Sequence, residues 1–290
     1  MEITFYYYNK FDSKEESEEF LLYQLENVTG SKNEFIYKKQ EESEEGEGDT
    51  LYVKCDFFSF TTTLFDVKNV SRDYDVGINY GLECNIFENG NKKFMEFIGN
   101  LLKSTIGDAL LLKDYEYRVL ERKNNCLIVD SHFFYGDYES LSLSYIQGMY
   151  KKICLRIEGD FITEEIKRES IKLVAAYENE DKVEMVEDPD YPLEFTINWG
   201  RLQIHISNLG TVINLTCGHI FTSNDKLSLK RILCFFKQIT TKFSGDYQLM
   251  IVQGYWEQKR SVLLERKNGI IAVNELAEEA YLIQESDRKN

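Results

Sequence analysis

The chain has 290 residues, of which 43% are hydrophobic and 14% aromatic, and its formal net charge is −16. That hydrophobic content is ample for packed cores, and no apolar run approaches the roughly 18–20 residues that cross a bilayer. The acidic balance argues against direct binding of nucleic acid, because neutralising phosphates requires a basic patch.

The start of the chain and its cysteines predict a cytoplasmic location. The first residues, Met-Glu-Ile-Thr-Phe, lack the basic region and cleavage site of a secretory signal. Six scattered cysteines, none in a C-x-x-C pair, fall mostly in apolar, β-prone contexts. We therefore expect reduced core thiols, as is typical of the cytosol.

The first predicted elements are a strand and a helix, and both recur in the second half. Residues 3–13 align without a gap with residues 153–163, and the two stretches end at Ser13 and Thr163. Hydroxyl side chains accept hydrogen bonds from the free amides of a first helical turn, and the glutamates that follow face the positive helix end. The predicted helices are about 14–28 and 164–178.

An acidic segment follows the first predicted helix, and small residues alone separate its carboxylates, which predicts a solvated loop. It is either a loop that keeps the protein soluble or an acidic surface that attracts a basic partner protein and raises their association rate. Residues 1–150 hold 15 basic and 28 acidic residues, whereas 151–290 hold 19 and 22, so the first half is the acidic one. The acidic residues of the segment are Glu41, Glu42, Glu44, Glu45, Glu47 and Asp49.

A repeated hairpin phrase stands near the end of each half. Residues 119–130 and 263–274 share Leu-Glu-Arg-Lys-Asn between apolar runs. This pattern predicts two strands joined by a turn, with Glu121 and Arg122 at an exposed tip. Gly107-Asp108 and Gly245-Asp246 come earlier and are expected to end helices, because Gly enters the left-handed region without strain.

The repeats predict two tandem domains of the α+β class. Each half is expected to form a β-α-β-β-β-α-β-β module with an antiparallel sheet. The predicted domains are 1–148, which is acidic, and 149–290. Residues 131–150 have no equivalent in the second half and are predicted to be a strand or strap that leads into it.

The sequence shows little catalytic chemistry. It has no G-x-S-x-G, no phosphate-binding G-x-x-x-x-G-K and no H-E-x-x-H motif. His132, His205 and His219 have no metal-ligand spacing, and the lone Cys217-x-His219 pair indicates a site only weakly. We expect no enzyme, no cofactor and no metal.

One part of the chain resembles a known family. Gly107-Asp108, Glu116, Leu120 and Arg122 form a Gly-Asp, Glu, Leu-x-Arg hairpin pattern behind a predicted helix. The pattern is similar to the C-terminal part of a bacterial immunity-protein family, whose members accompany the polymorphic toxins that neighbouring bacteria exchange by contact. The tandem arrangement departs from the single-module form of that family. In the second half the pattern fits at Gly245-Asp246, Leu264 and Arg266, with extra residues around 253–259.

The resemblance implies binding rather than turnover. A cytoplasmic immunity protein would occlude the active site or substrate groove of a cognate toxin, which we expect to be basic, with aromatic anchors supplying much of the affinity. The predicted partner-binding residues are Glu41, Glu42, Glu44, Glu45, Glu47, Asp49, Tyr74 and Trp256. Tyr6, Tyr8, Tyr80 and Trp199 are further possible anchors, each weighed against a core position.

Two other classes of function stay open. A non-catalytic two-module scaffold or adaptor would hold a separate ligand on each module. An enzyme with an unfamiliar site between the modules would show a pocket with perturbed titratable groups. The immunity hypothesis predicts one tight protein partner encoded next to this chain. No particular oligomeric state is predicted.

Overall fold

The computed structural model describes residues 1–40, 50–63, 67–134, 137–159, 163–175, 183–187, 193–199, 202–253 and 259–274. The chain divides into two compact units, Met1–Gln147 and Gly148–Asn290. Both combine helices with antiparallel strands, so the predicted α+β class is confirmed. Within these ranges, no helix has the length and apolar character needed to cross a membrane.

The first unit has one antiparallel sheet and three described α-helices. Its strands are hydrogen-bonded in the order β2-β3-β4-β5-β1-β6-β7-β8. The elements are β1 (Glu2–Tyr7), α1 (Lys14–Thr29), β2 (Phe35–Gln40), β3 (Thr50–Cys55), β4 (Phe58–Thr63), α2 (Val67–Tyr74), β5 (Tyr80–Ile86), α3 (Asn91–Ser104), β6 (Ala109–Lys113), β7 (Tyr117–Lys123) and β8 (Cys126–Asp130).

The second unit repeats that strand order. Its sheet reads β10-β11-β12-β13-β9-β14-β15-β16, so the first strand again lies between the fifth and the sixth. The elements are β9 (Ile146–Glu158), α4 (Thr163–Ala175), β10 (Val183–Glu187), β11 (Glu194–Trp199), β12 (Leu202–Asn208), β13 (Val212–Phe221), α5 (Lys226–Thr240), β14 (Asp246–Gln253), β15 (Lys259–Lys267) and β16 (Ile270–Val273).

Each unit contains two more strands than the sequence predicted for the module. Each unit has four strands between its two long helices and three after the second, where the sequence predicted three and two. In the first unit β6 is buried from Ala109 to Leu112, so it lacks the polar alternation that marks a half-exposed strand. The turn between β3 and β4 is Asp56–Phe57, which carries none of the Gly or Asn signals typical of a hairpin.

The long helices of the first unit pack on one face of its sheet. Ser13 is the N-cap of α1, as predicted, and its Oγ accepts a hydrogen bond of 3.1 Å from the amide of Glu16. Phe58 on β4 lies 5.5 Å and 5.3 Å, between ring centroids, from Phe94 and Phe97 of α3. Each such aromatic pair stabilises the fold by about 0.5–1.5 kcal/mol beyond the contribution of its buried surface area. This face is therefore the main core of the unit.

The opposite face of the same sheet is only partly covered. There α2 packs Val67 and Val70 against Leu110 and Leu112 of β6 and Tyr6 of β1. Among the residues described, the second unit has no helix between its fourth and fifth strands. The part of this face that α2 leaves open becomes the candidate site described below.

The strap predicted after the first hairpin is a short 3-10 helix, Asp137–Leu141, which packs on α3. Phe134, Tyr138 and Leu141 are buried in that contact. Gly99 of α3 allows the close approach, because a Cβ added there would lie 2.3 Å from the carbonyl oxygen of Leu141. The segment thus closes the core of the first unit before β9 begins.

Candidate functional site

The first copy of the repeated hairpin buries its Glu-Arg pair inside the fold. The first turn is Asn124–Asn125, with φ values of 52° and 62°, and Glu121 and Arg122 lie before it on β7. They are 2% and 9% exposed, so the prediction of an exposed Glu-Arg tip is wrong. Their charges can be buried because both find partners within the unit.

Arg122 binds the end of helix α3. Its Nε donates to the carbonyl of Gly107 (2.6 Å), Nη1 to the carbonyl of Leu102 (2.5 Å) and Nη2 to Oγ1 of Thr105 (3.2 Å). Carbonyls in a last helical turn have no partner within the helix, and a cation is favoured there. Burial lowers the pKa of Arg122, and the charge of Asp108 partly offsets this effect. Because α3 ends at Ser104, Gly107 is not its C-cap, contrary to the prediction.

The second hairpin repeats the arrangement. Nε of Arg266 donates to the carbonyl of Gly245 at 2.5 Å, and Nη2 donates to that of Phe243 at 3.0 Å. The guanidinium carbon also lies 4.7 Å from the ring centre of Tyr247. Here too, the helix α5 ends earlier, at Thr240. The repeated arginine therefore joins a hairpin to the chain that follows a helix.

The repeated aspartate also joins the chain that follows the helix to the hairpin turn. The carboxylate of Asp108 accepts hydrogen bonds from the amides of Gly77 (2.9 Å) and Asn124 (3.3 Å). Asp246 accepts one from the amide of Asn268 at 3.0 Å. The Gly-Asp and Arg positions that carry the family resemblance thus have structural roles in both units.

A buried ion pair lies beside these contacts in the first unit. Nη1 of Arg118 is 2.9 Å from Oε2 of Glu121, and the two side chains are 3% and 2% exposed. The guanidinium carbon lies 4.8 Å from the ring centre of Tyr74, whose hydroxyl donates to the carbonyl of Tyr115 at 2.7 Å. Tyr74, a predicted partner anchor, is therefore half-buried and bonded within the unit.

Of the other predicted partner residues that the structure describes, three are buried and one is exposed. Tyr6, Tyr80 and Trp199 are 1%, 9% and 4% exposed, so as core residues they are not available to a partner. Tyr8 is 45% exposed. Outside the described residues lie Glu41, Glu42, Glu44, Glu45, Glu47, Asp49 and Trp256.

The histidines and cysteines form no metal site in the part of the chain that the structure describes. His219 is 1% exposed and packs edge-on against Phe221, with 5.3 Å between ring centres. Cys217 is equally buried, so the Cys217-x-His219 pair belongs to a core. All six cysteines are free: three are buried, two half-buried, and Cys234 is exposed.

A groove that the sequence did not predict lies on the open part of the first sheet. It has a volume of about 240 Å³. Strand register arranges six of its lining residues in two rows across β4, β5 and β1. The rows are Ser59–Asn85–Glu2 and Thr61–Glu83–Thr4, and the remaining lining residues are Ile3, Cys84, Asp114 and Tyr115. We call this set the acidic groove.

Two carboxylates of the acidic groove form no ion pair with a described residue. Glu2 and Glu83 make no ion pair with any described residue, whereas Asp114 is paired with Lys113. Oδ1 of Asn85 already accepts a hydrogen bond of 3.1 Å from the N-terminal ammonium. The free negative charge of the groove therefore lies on Glu2 and Glu83.

Two hydroxyls in the floor of the groove also lack partners. Thr4 and Ser59 are 6% and 8% exposed, and no hydrogen bond of either side chain is found within the described ranges. Neither oxygen is among the fully buried atoms without a partner, so both hydroxyls are open to solvent at the groove. Here both residues line the groove, where a bound donor would satisfy them.

The groove has acceptors but no nucleophile. Cys84 lines it, but burial raises the pKa of this thiol, and the nearby Glu83 carboxylate raises it further. A protonated thiol is a poor nucleophile. No histidine is among the lining residues to serve as a base for Ser59 or a threonine. The arrangement is suited to binding a hydrogen-bond donor that carries positive charge.

The second unit shows that its shared strand order does not require these carboxylates. The positions equivalent to Glu2 and Glu83, assigned from strand order and register, are Lys152 on β9 and Thr216 on β13. Both sheets form, although one carries two acids and the other a base and a hydroxyl. The two carboxylates are thus a property of the first unit rather than of the common framework.

Comparisons of the chain with protein-family models, with curated proteins and with solved structures find no match. Within the described structure, the acidic groove is the candidate binding site.

Proposed function

We propose that the chain is a cytoplasmic immunity protein that binds a basic cognate toxin and blocks its active site or substrate groove. The observation that carries the proposal is the acidic groove, in which Glu2 and Glu83 have no cationic partner among the described residues. Unpaired carboxylates on an open face are suited to the basic residues with which a toxin would hold its anionic substrate. Binding of the chain would thereby keep the substrate out of the toxin's active site.

The overall charge supports the same partner. At −16, the chain attracts a basic protein over several ångströms, and such steering raises the association rate. The acidic segment at 41–49 stands in the sequence between β2 and β3 of the same unit. We propose that this segment contributes to steering and that the groove makes a specific contact.

We further propose that the two units are tandem copies of one module. Their identical strand order and the repeated arginine contacts support this origin. The shared residues maintain the framework, whereas the acids at Glu2 and Glu83 differ from their equivalents. Positions that differ on a common framework are where binding specificity is expected.

The second candidate function is a two-module adaptor. It is favoured by the different chemistry of equivalent faces, with Glu2 and Glu83 in one unit and Lys152 and Thr216 in the other. Two unlike faces suit two unlike ligands. An adaptor would bind both without relieving any toxicity.

The proposal predicts a complex between the tagged full chain and the protein encoded next to it. We expect one copy of each in the purified complex, with affinity that falls as salt rises. Changing both Glu2→Lys and Glu83→Lys should weaken binding by about tenfold or more, because like charges then meet across the contact. Titration calorimetry at two salt concentrations measures both effects.

The control variant is Glu19→Lys with Glu139→Lys, which makes the same charge change at exposed positions on the helical side of the first unit. It should reduce the affinity much less than the groove variant. Absence of a complex would refute the proposed function. An equal loss in both variants would show that overall charge, rather than the groove, determines binding.

A further inference from the structure

We infer that the acidic groove binds a primary ammonium group, presented by a lysine side chain of the bound protein. The inference deepens the proposed function and rests on it for the source of the ammonium. Its structural basis is the two-row arrangement on β4, β5 and β1, which surrounds one carboxylate with hydroxyls.

Strand register places the acceptors around Glu83. Thr4 on β1 and Thr61 on β4 are its direct cross-strand neighbours on either side. Directly opposed residues on one face have Cβ atoms about 4.5–5.5 Å apart. A cation above the Glu83 carboxylate would therefore lie within reach of both hydroxyls. The second row adds the hydroxyl of Ser59 and the carboxylate of Glu2.

An ammonium fits this set better than other cations. It is a compact charge with three rotatable donors, whereas a guanidinium is a planar fork that favours a paired carboxylate face. The described acidic, histidine and cysteine residues form no cluster that could hold a metal ion. The volume of about 240 Å³ is below the roughly 300–1,000 Å³ of most small-molecule sites and suits a single side chain.

The cations nearest to the groove are bonded to groups other than Glu2 and Glu83. Lys113 pairs with Asp114, and Nζ of Lys54, next to Ser59 on β3, lies 5.6 Å from the ring centre of Phe87. The N-terminal ammonium donates to Asn85 and, at 2.6 Å, to the carbonyl of Ile86. None of these groups forms an ion pair with Glu2 or Glu83 in the described structure.

The test is a titration of the full-length, nitrogen-15-labelled chain with 1,4-diaminobutane, followed by nuclear magnetic resonance. We expect saturable shifts of the amides of Thr4, Ser59 and Glu83. Glu83→Gln should weaken the affinity by about tenfold or more, as expected for losing a hydrogen bond to a charged group. Glu19→Gln makes the same charge change at an exposed position on α1 and should leave the affinity for the diamine unchanged.

Tetramethylammonium separates specific recognition from general attraction, because it carries the charge without any N–H donor. We expect it to cause no saturable shift at Thr4 or Ser59. Equal binding of the two cations, or equal loss in Glu83→Gln and Glu19→Gln, would overturn the inference.

A competition identifies the source of the ammonium. If a lysine of the neighbouring protein occupies the groove, adding that protein will displace the diamine. A diamine that binds but is not displaced from the complex would make a free polyamine the ligand and overturn the lysine assignment. A complex that forms without any diamine binding in the free chain would overturn the inference and leave the proposed function intact.

Discussion

Glu121→Ala is expected to lower the free energy of unfolding by about 3–5 kcal/mol, because it leaves the guanidinium of Arg118 buried without its carboxylate. The two side chains are 3% and 2% exposed and 2.9 Å apart, so water cannot readily replace the lost partner. Urea denaturation followed by far-ultraviolet circular dichroism measures the change.

The repeat supplies a matched control for this pair. Glu265 is the equivalent of Glu121, but it is only half-buried, and Val262 stands where Arg118 would be. Glu265→Ala should therefore cost no more than about 1 kcal/mol. Replacing both members, as Arg118→Met with Glu121→Leu, should cost less than Glu121→Ala alone. Similar losses for Glu121→Ala and Glu265→Ala would contradict this account.

Gly245→Ala is expected to destabilise the second unit by about 3 kcal/mol or more. Its φ is 124°, and an added Cβ would lie 1.9 Å from the carbonyl oxygen of Glu158. The clash is with backbone of the central strand β9, so no side chain can move to relieve it. Both tryptophans are in the second half of the sequence, and Trp199 is buried, so tryptophan fluorescence during urea unfolding reports on this unit.

Gly210→Ala is the control that separates the effect of the steric clash from the effect of the positive φ. Gly210 also has a positive φ, 84°, but a Cβ added there would meet no atom within 4 Å. This substitution should cost about 1–2 kcal/mol, the penalty for a left-handed L-residue. A loss for Gly245→Ala no larger than that for Gly210→Ala would show that the approach to Glu158 does not constrain the unit.

The sequence predicted the features that depend on local pattern. The Ser13 cap, the helix after it and the two repeated hairpins, although not the position of their turns, follow from side-chain chemistry within a few residues. The sequence also shows residues 131–150 as a strand or strap without an equivalent in the second half, and the 3-10 helix Asp137–Leu141 lies within that segment. Each of these features can be inferred without knowing which strands are neighbours in space.

The errors occurred where tertiary packing decides. Glu121 and Arg122 look like an exposed tip in the sequence, because nothing local shows that Arg118 and the end of α3 will receive them. Tyr6 and Trp199 were possible anchors for the same reason, yet they lie in cores. A charged or aromatic residue in a strand is exposed or buried according to what covers that face.

The acidic groove was missed because its residues are far apart in the chain. Glu2 and Glu83 reach one face through the pairing of β1 with β5. The alternation in Glu2-Ile3-Thr4 was a local signal for a face with polar residues. It carries no information about the strand that lies beside it, so the sequence alone predicts the partner site on the acidic segment 41–49.

The most direct test of the central claim is a growth assay in bacteria that express the neighbouring protein, with or without this chain. We predict that growth stops without the chain and is restored by the wild-type chain and by Glu19→Lys with Glu139→Lys. Glu2→Lys with Glu83→Lys, present at the same level, should fail to restore growth. A wild-type chain that gives no protection would contradict the immunity function, and full protection by the groove variant would contradict the assignment of the acidic groove.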